Sequence, residues 1–451
     1  MVRLALLLLG TDFIRSRWRT LVAIGVALGL MGAAIFIDAL DGVVIFPIHL
    51  FGYVLVAEGA VALLVAAGPL PGPRALRYAK GVLFVVLGVL VINRHHFSVV
   101  LLALLFGLLF TVGGCLRIAA AWVVRFPGWR GSILAGGAEL LLAAFIFEPW
   151  PTHYVGTVPY CLGVGLCIAG AGSLRLAWRL RRLPPGVSMA ALLRDGYPPG
   201  GRFEQVATDA AWPPLLPMTV HVWTPLGSAQ NAVRRPVVDR YIAAVDAQGV
   251  ISTGHAALEM APDVYISHYP AVEIDRSPDE FARTLRATAE NDVPGRFQPD
   301  YGYEAANWCD STQQVVFRDY SPARLRAFWQ RYREDTTYNL TYRNCSSTVV
   351  HALEAALEGV LARRGVSWLT FLRIMTSPEL WVASQLNRRA TTMAWTPGLV
   401  LDYVRALRGM VHPAPIAWVT LTRMTLQAYR RSRRRLAQEG QYRVDDEAQH
   451  V

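Results

Sequence analysis

The stretch Tyr338-Asn-Leu-Thr-Tyr-Arg-Asn-Cys345-Ser-Ser-Thr-Val-Val-His-Ala-Leu-Glu-Ala-Ala-Leu-Glu-Gly359 carries the strongest chemical signal in this chain. Asn344 is a natural helix N-cap, and Val349, Val350, Leu353, Ala356, Leu357 and Val360 fall on one helical face. Cys345 then lies in the first helical turn, where the helix dipole and free N–H groups favour a thiolate. A cysteine used only for packing belongs in the middle of an apolar face, whereas this one stands among Asn, Ser and Thr. A thiolate nucleophile needs a base, and His255 is the candidate, preceded by Gly254, which permits close backbone approach. His268 follows thirteen residues later, beyond a turn at Ala261-Pro-Asp263. A hairpin would make the two histidines cross-strand neighbours, one ring orienting the other, which completes a nucleophile, base and orienting group.

The elements that must position these residues come from a distinct half of the chain. Residues 204–365 read as an α+β domain with an antiparallel sheet. Its strand-like runs are 218–223, 237–245, 264–267 and 315–317, and its helical patterns are 278–290, 322–332 and 346–361. A Pro/Gly-rich linker at 184–203 precedes this domain, and a helical extension, 366–451, follows it. In that extension 395–410 sets Leu399, Val400, Tyr403, Val404 and Leu407 on one face. The 416–436 stretch joins Trp418, Leu421 and Met424 to Arg430, Arg431, Arg433, Arg434 and Arg435. Both read as surfaces for an anionic membrane interface. Arg234, Arg235 and Asp239 flank a strand and read as a salt bridge or a head-group contact.

Residues 1–183 are of another kind. The whole chain of 451 residues is 53% hydrophobic and 17% charged, which excludes disorder, and five cysteines are too few for a disulfide scaffold. Six apolar runs, 21–38, 43–67, 81–92, 99–124, 131–147 and 155–176, predict six membrane spans. The short connections 38–42 and 93–97 predict antiparallel hairpins between the spans they join. The net charge of +11 divides into +9 before residue 184 and +2 after it, the reverse of a nucleic-acid-binding domain. Loop arginines on one side (Arg3, Arg15, Arg17 and Arg19; Arg74 and Arg77 with Lys80; Arg125 and Arg130; Arg179, Arg181 and Arg182) face only Arg94 on the other. This asymmetry predicts a cytoplasmic N-terminus and a cytoplasmic catalytic domain in a bacterial inner membrane. Glu58, Arg117 and Glu139 lie in or near spans and read as a buried ionic clamp. No paired Cys or His spacing marks a metal site, and no phosphate-binding glycine loop or cofactor motif is present.

Three family resemblances follow. The weak repeat of Gly114-Cys-Leu-Arg117-Ile-Ala119 as Gly172-Ser-Leu-Arg175-Leu-Ala177, on Gly-rich short spans, resembles the HdeD-like membrane family over about 20–183. Gly254-His255 on a strand, a polar group on the next strand and Asn344-Cys345 opening a later helix resemble the circularly permuted papain-like enzymes. These are the NlpC-type thiol hydrolases and the lecithin–retinol acyltransferases. The Tyr338-Asn-Leu-x-x-Arg-Asn-Cys345 stretch is also similar to the Lnb-type lipoprotein N-acyltransferases, over about 215–362. These resemblances imply Cys345 as nucleophile, His255 as base and a third group at or near His268, with Ser267 or Tyr265 as competitors. They further imply oxyanion donors at the Cys345 N–H and Asn344, with Ser346 positioning. Tyr338, Asn339 and Arg343 become candidate substrate contacts. The expected activity is transfer of a phospholipid acyl group, through a thioester, to an amine, an alcohol or water. A lipoprotein N-terminus is one possible acceptor, although Lnb-type enzymes act outside the membrane that loop charge places this domain inside. A membrane-tethered cysteine peptidase or amidase is the second expectation. A stress-response membrane protein with a non-catalytic appended domain is the third.

Overall fold

A computed structural model of the chain describes residues 1–40, 45, 47, 49–67, 74–93, 96–148, 153–182, 187–189, 214, 216–224, 244–245, 251–252, 254–272, 274, 283, 285–363, 365 and 374–413. Most of the 184–203 linker and of the 237–245 strand lies outside the described residues. So do Arg94, the Arg234–Asp239 segment and the 416–436 helix with its arginines. Where the 278–290 helix was expected, residues 285–288 form a turn and extended chain leading into a short 3-10 helix, Ala289–Asn291.

The membrane half begins with two short helices, α1 (Val2–Leu9) and α2 (Thr11–Ser16), joined at Gly10 with φ 78°. Six longer helices follow: α3 (Trp18–Asp38), α4 (His49–Ala67), α5 (Arg74–Ile92), α6 (His96–Val124), α7 (Trp129–Phe147) and α8 (Thr157–Arg181). Four described segments, Trp18–Asp38, Phe97–Val124, Trp129–Phe147 and Tyr154–Arg181, are long and apolar enough to cross a bilayer. Two more, His49–Leu63 and Tyr78–Ile92, are apolar but shorter. The outward side chains include Leu30, Leu108, Leu134 and Ile168, all exposed, as a lipid-facing surface requires.

Helix pairing departs from the hairpins that loop length predicts. The pairs are α3 with α8, α4 with α5 and α6 with α7. Backbone contact at glycine decides this. A Cβ on Gly32 would stand 2.6 Å from the Gly163 carbonyl oxygen, and one on Gly170 would stand 2.6 Å from that of Gly25. The same holds for Gly52 and Gly88 (2.8 Å), for Gly59 and Gly81 (2.9 Å), and for Gly114 and Gly136 (2.8 Å). In the first two pairs the glycines recur every seven residues on both partners, so each helix keeps one small face toward the other. Charged residues of the bundle helices close as two ion pairs, Lys80 Nζ–Glu58 Oε1 at 2.6 Å and Arg117 Nη2–Glu139 Oε1 at 2.8 Å. Lys80, read from the sequence as a loop residue, is a buried helical residue.

The other half is an α+β domain with antiparallel sheets and C-terminal helices. The main sheet holds β1 (Met218–Trp223), β4 (His255–Met260), β5 (Val264–Ile266) and β8 (Gln313–Phe317) in the order β5-β4-β1-β8. β2 (Ala244–Val245) pairs with β3 (Ile251–Ser252). A three-stranded sheet joins β6 (His268–Pro270), β7 (Val293–Phe297) and β9 (Thr337–Tyr338). Further helices among the described residues are α9 (Tyr301–Asn307), α10 (Pro322–Tyr332), α11 (Cys345–Leu357), α12 (Val360–Arg363), α13 (Pro378–Thr392) and α14 (Pro397–Val411).

Strand alternation splits the main sheet into two chemical faces. Met218, Val220, Val222, Ala256, Leu258, Met260, Val264 and Ile266 form an aliphatic face packed into the core with α11 and α14. Trp223, Ala257 and Tyr265 lie on the opposite face, beside Tyr301 of α9. Leu399, Val400, Tyr403, Val404 and Leu407 of α14 are buried in the core, so the apolar face expected at the membrane covers the sheet instead. The core also takes in α1, whose Leu4 to Leu9 are buried among the same residues.

The basic ends of the membrane helices meet this domain. Leu180 of α8 lies in its core, Lys80 sits 5.5 Å from the Trp381 ring centroid, and the Ala287 N–H donates to the Val124 carbonyl (2.7 Å). Glu358, at the end of α11, accepts from Thr11 (3.2 Å), Ser188 (2.7 Å) and the Met189 N–H (2.8 Å), and pairs with Arg324 (3.1 Å).

Candidate active site

The approach to Cys345 is a fixed turn. Asn339 and Arg343 exchange backbone hydrogen bonds of 3.1 Å, and the Asn339 side chain accepts from the Thr341 N–H (3.0 Å) while donating to Asp292 (2.8 Å). Asn344 then caps α11 by accepting from the Ser347 N–H (2.7 Å), and Ser347 Oγ accepts from the Asn344 N–H (2.9 Å). This reciprocal cap satisfies the helix start and fixes its first residue, the buried Cys345. Cys345 Sγ receives hydrogen bonds from the backbone N–H groups of Ala256 and Ser346 and lies 3.7 Å from Ser346 Oγ.

The helix start does not make Cys345 a resting thiolate. The residue is only 9% exposed, and burial pushes its thiol above the ordinary range, outweighing the N–H donors that pull it down. Glu304 adds a further upward push.

Gly254, with φ 68°, turns the chain into β4, and His255 is its first residue. Ala256, whose N–H reaches Sγ, is the residue after His255 in β4. The His255 ring is 3% exposed and stacks on Tyr269 with centroids 4.1 Å apart. Its Nε2 faces Ser267 Oγ at 2.9 Å and Glu304 Oε1 at 3.3 Å. Burial lowers the His255 pKa to about 4, against an upward pull from Glu304.

The third group is not where the thirteen-residue spacing puts it. β4 pairs with β5 as Leu258↔Ile266, Glu259↔Tyr265 and Met260↔Val264, so directly opposed residues share parity. Continued along the chain, this register brings odd-numbered Tyr265, Ser267 and Tyr269 to the face of His255 and sends His268 to the other. His268 is accordingly 1% exposed among Phe297, Tyr338 and Tyr332, with Nε2 at 3.3 Å from the Thr336 carbonyl oxygen. Its Nδ1 has no hydrogen-bond partner among the described residues, and burial lowers its pKa to about 4. Ser267, held beside His268 as a competitor and lying between β5 and β6, is the one whose hydroxyl reaches His255 Nε2.

Several other expected site residues are occupied structurally. The Asn344 amide donates to the carbonyls of Leu340 (2.7 Å) and Trp395 (3.0 Å), so it has no N–H left for an oxyanion. Arg343 donates to the carbonyls of Thr337 (2.7 Å), Tyr332 (3.1 Å) and Asp335, and lies over the Tyr332 ring, clamping the preceding loop. Tyr338 is a buried strand residue against His268, and Asn339 is fully buried in the turn. Ser346 does sit next to the thiol.

Sequence reasoning missed Glu304. This carboxylate, 3% exposed on α9, accepts from Tyr265 and Tyr269 (2.6 Å) as well as facing His255. No local spacing announces it, although strand parity would have picked out the two tyrosines that hold it. Comparisons with protein-family models, curated proteins and solved structures find no match for this chain.

Proposed function

We propose that the protein is a multi-pass membrane thiol acyltransferase or lipid hydrolase. The observation that carries this reading is the junction of Cys345, at a capped helix start, with His255 through the Ala256 N–H, fastened to a membrane helix. The fastening runs through the turn just before the nucleophile. Asn339 and Thr341 donate to the carbonyls of Thr288 (3.4 Å) and Leu285 (2.8 Å), and Ala287 between them bonds to the end of α6. A site anchored this way stands at the bilayer surface, where an ester of a membrane lipid is the nearest electrophile.

The chemistry follows from two neutral partners. With Nε2 turned to Ser267 and Glu304, Nδ1 of His255 takes the Sγ proton as sulfur bonds to the acyl carbon. The Cys345 backbone N–H, at the first helical position, supports the oxyanion. The ester C–O bond breaks, the imidazolium returns its proton to the leaving lysolipid oxygen, and an acyl thioester remains. An amine, an alcohol or water then attacks, with His255 again as base. Burial of Cys345 slows adventitious hydrolysis of the thioester, which lets a bound acceptor compete.

In this reading all six apolar helices span the membrane, and the basic loops place the domain on the cytoplasmic face of a bacterial inner membrane. The bundle is of the HdeD-like kind and the catalytic half a permuted papain-like domain. The test is incubation of the full chain with mixed phospholipid vesicles and mass-spectrometric detection of lysophospholipid. Wild type releases it and Cys345→Ala does not. Cleavage of amide substrates without lysophospholipid would replace this reading with a peptidase or amidase.

A further inference from the structure

We infer that Glu304 is the positioning residue for His255, holding its ring in the tautomer that carries hydrogen on Nε2. The inference rests on the reading of Cys345 and His255 as nucleophile and base, but its geometry stands apart from the choice of substrate. Glu304 comes from α9, not from the strand that follows His255, and its two oxygens are fully employed. One accepts from Tyr265; the other accepts from Tyr269 at 2.6 Å and faces His255 Nε2 at 3.3 Å. Two phenols can only donate to this carboxylate, so it is kept as an acceptor and can serve His255 only by receiving the Nε2–H. Ser267 Oγ, 2.9 Å from Nε2, can donate or accept and therefore cannot select the tautomer alone. Tyr269 also supports the ring by stacking at 4.1 Å, so one side chain both fixes the imidazole plane and anchors its orienting carboxylate.

The consequence is directional. An Nε2–H leaves a lone pair on Nδ1, the nitrogen that must take the thiol proton. When that proton arrives, the Glu304 charge lies against the imidazolium and stabilises it, the role a buried carboxylate plays in a nucleophile–base–acid triad. The titratable groups that act on His255 are Glu304 from α9 and, from β6, Tyr269 stacked on the ring and His268 on the opposite face; Tyr265 and Cys345 act on Glu304 and Tyr269. Of these, Glu304 is the one that raises the ring's affinity for a proton, and His268 lowers it.

Nitrogen NMR of the full chain in nanodiscs, labelled with 15N-histidine and assigned with His255→Gln, tests this. Wild type should show His255 protonated on Nε2, and Ser267→Ala should leave it so. Glu304→Gln presents an amide N–H in place of an acceptor, so the hydrogen should move to Nδ1 and acyl transfer should fall about 10³- to 10⁴-fold. The acid limb of the Glu304→Gln rate should move below pH 4, since the anion that raises the ring's affinity is gone. A loosened pocket would instead move it up toward 6.5. Wild type protonated on Nδ1, Glu304→Gln retaining Nε2–H, or a tautomer change in Ser267→Ala would each overturn the inference. If Glu304→Gln does not fold, the wild-type and Ser267→Ala spectra still decide it. The expected tautomers in a protein that cleaves no lipid would uphold this inference while removing the acyltransferase reading.

Discussion

The two halves of the molecule both hold carboxylates, half-buried in the bundle and buried in the α+β domain, and they satisfy them by different means. In the membrane bundle Glu58 and Glu139 each meet a cation, Lys80 or Arg117, on the paired helix. In the α+β half Glu304 and Glu354 are held by hydroxyl and amide donors. Tyr265 and Tyr269 serve the first, and Tyr403 (2.7 Å) and Asn387 (2.9 Å) serve the second. In hydrocarbon a lone charge is too costly, so cancellation comes first. In a packed protein core hydroxyl donors hold Glu304 in place where it also faces His255. The half that gathers donors is the half that can put a buried charge to use beside a base. Glu358 falls between the two patterns, with three donors and one arginine, at the joint where the halves meet.

That contrast can be stressed experimentally, and acid should stress it most. His255 and His268 stay neutral in the fold down to about pH 4, whereas unfolded histidines protonate near 6.5. The unfolded chain therefore binds more protons in that window. The stability is whole above pH 6.5 and is lost as pH falls toward 4, by roughly 3 kcal/mol per ring. Hydrogen-exchange mass spectrometry should show β4 and β6 losing protection across this range while α3 and α8 keep theirs; equal loss in both halves would erase the contrast. Next in size, Glu358→Ala leaves Arg324 and three donors unmet and should cost about 3–5 kcal/mol in thermal unfolding. A change below 1 kcal/mol would show the joint to be dispensable.

In the bundle, Gly32→Leu must force α3 from α8 and should destabilise by about 1–3 kcal/mol. Gly29→Leu on the same helix, with nothing within 4 Å of the added carbon, should be neutral. Similar losses at both positions would contradict pairing through glycine. The smallest effect belongs to the surface. Arg326→Ala breaks a pair with Asp263 whose side chains are 48% and 46% exposed, and stability should change by about 0.5 kcal/mol or less.

What could be read from the sequence was local. Asn344, Cys345 and the apolar face of α11 are neighbours in the chain, so capping chemistry and helical period sufficed. His255 was marked by Gly254 and by strand alternation. The error at His268 came from counting distance without register: three turn residues, 261–263, set Met260 opposite Val264, and in that register an odd separation places two hairpin residues on opposite faces. Glu304 was invisible because its partners lie 35 to 49 residues away and the carboxylate is defined only by them. The same reason hid α1. Its leucines look like a span cut short, yet they fill a core built mostly from residues beyond 218. The glycines of α3 were plain to see, but only the fold shows that they belong with those of α8.

Intact-protein mass spectrometry after incubation with phospholipid of defined chain length tests the central claim most directly. Wild type should gain the mass of one acyl group on Cys345, released by hydroxylamine as a thioester is, and Cys345→Ala should gain none. An unmodified wild-type chain under conditions where a peptide or amide substrate does label Cys345 would contradict the account.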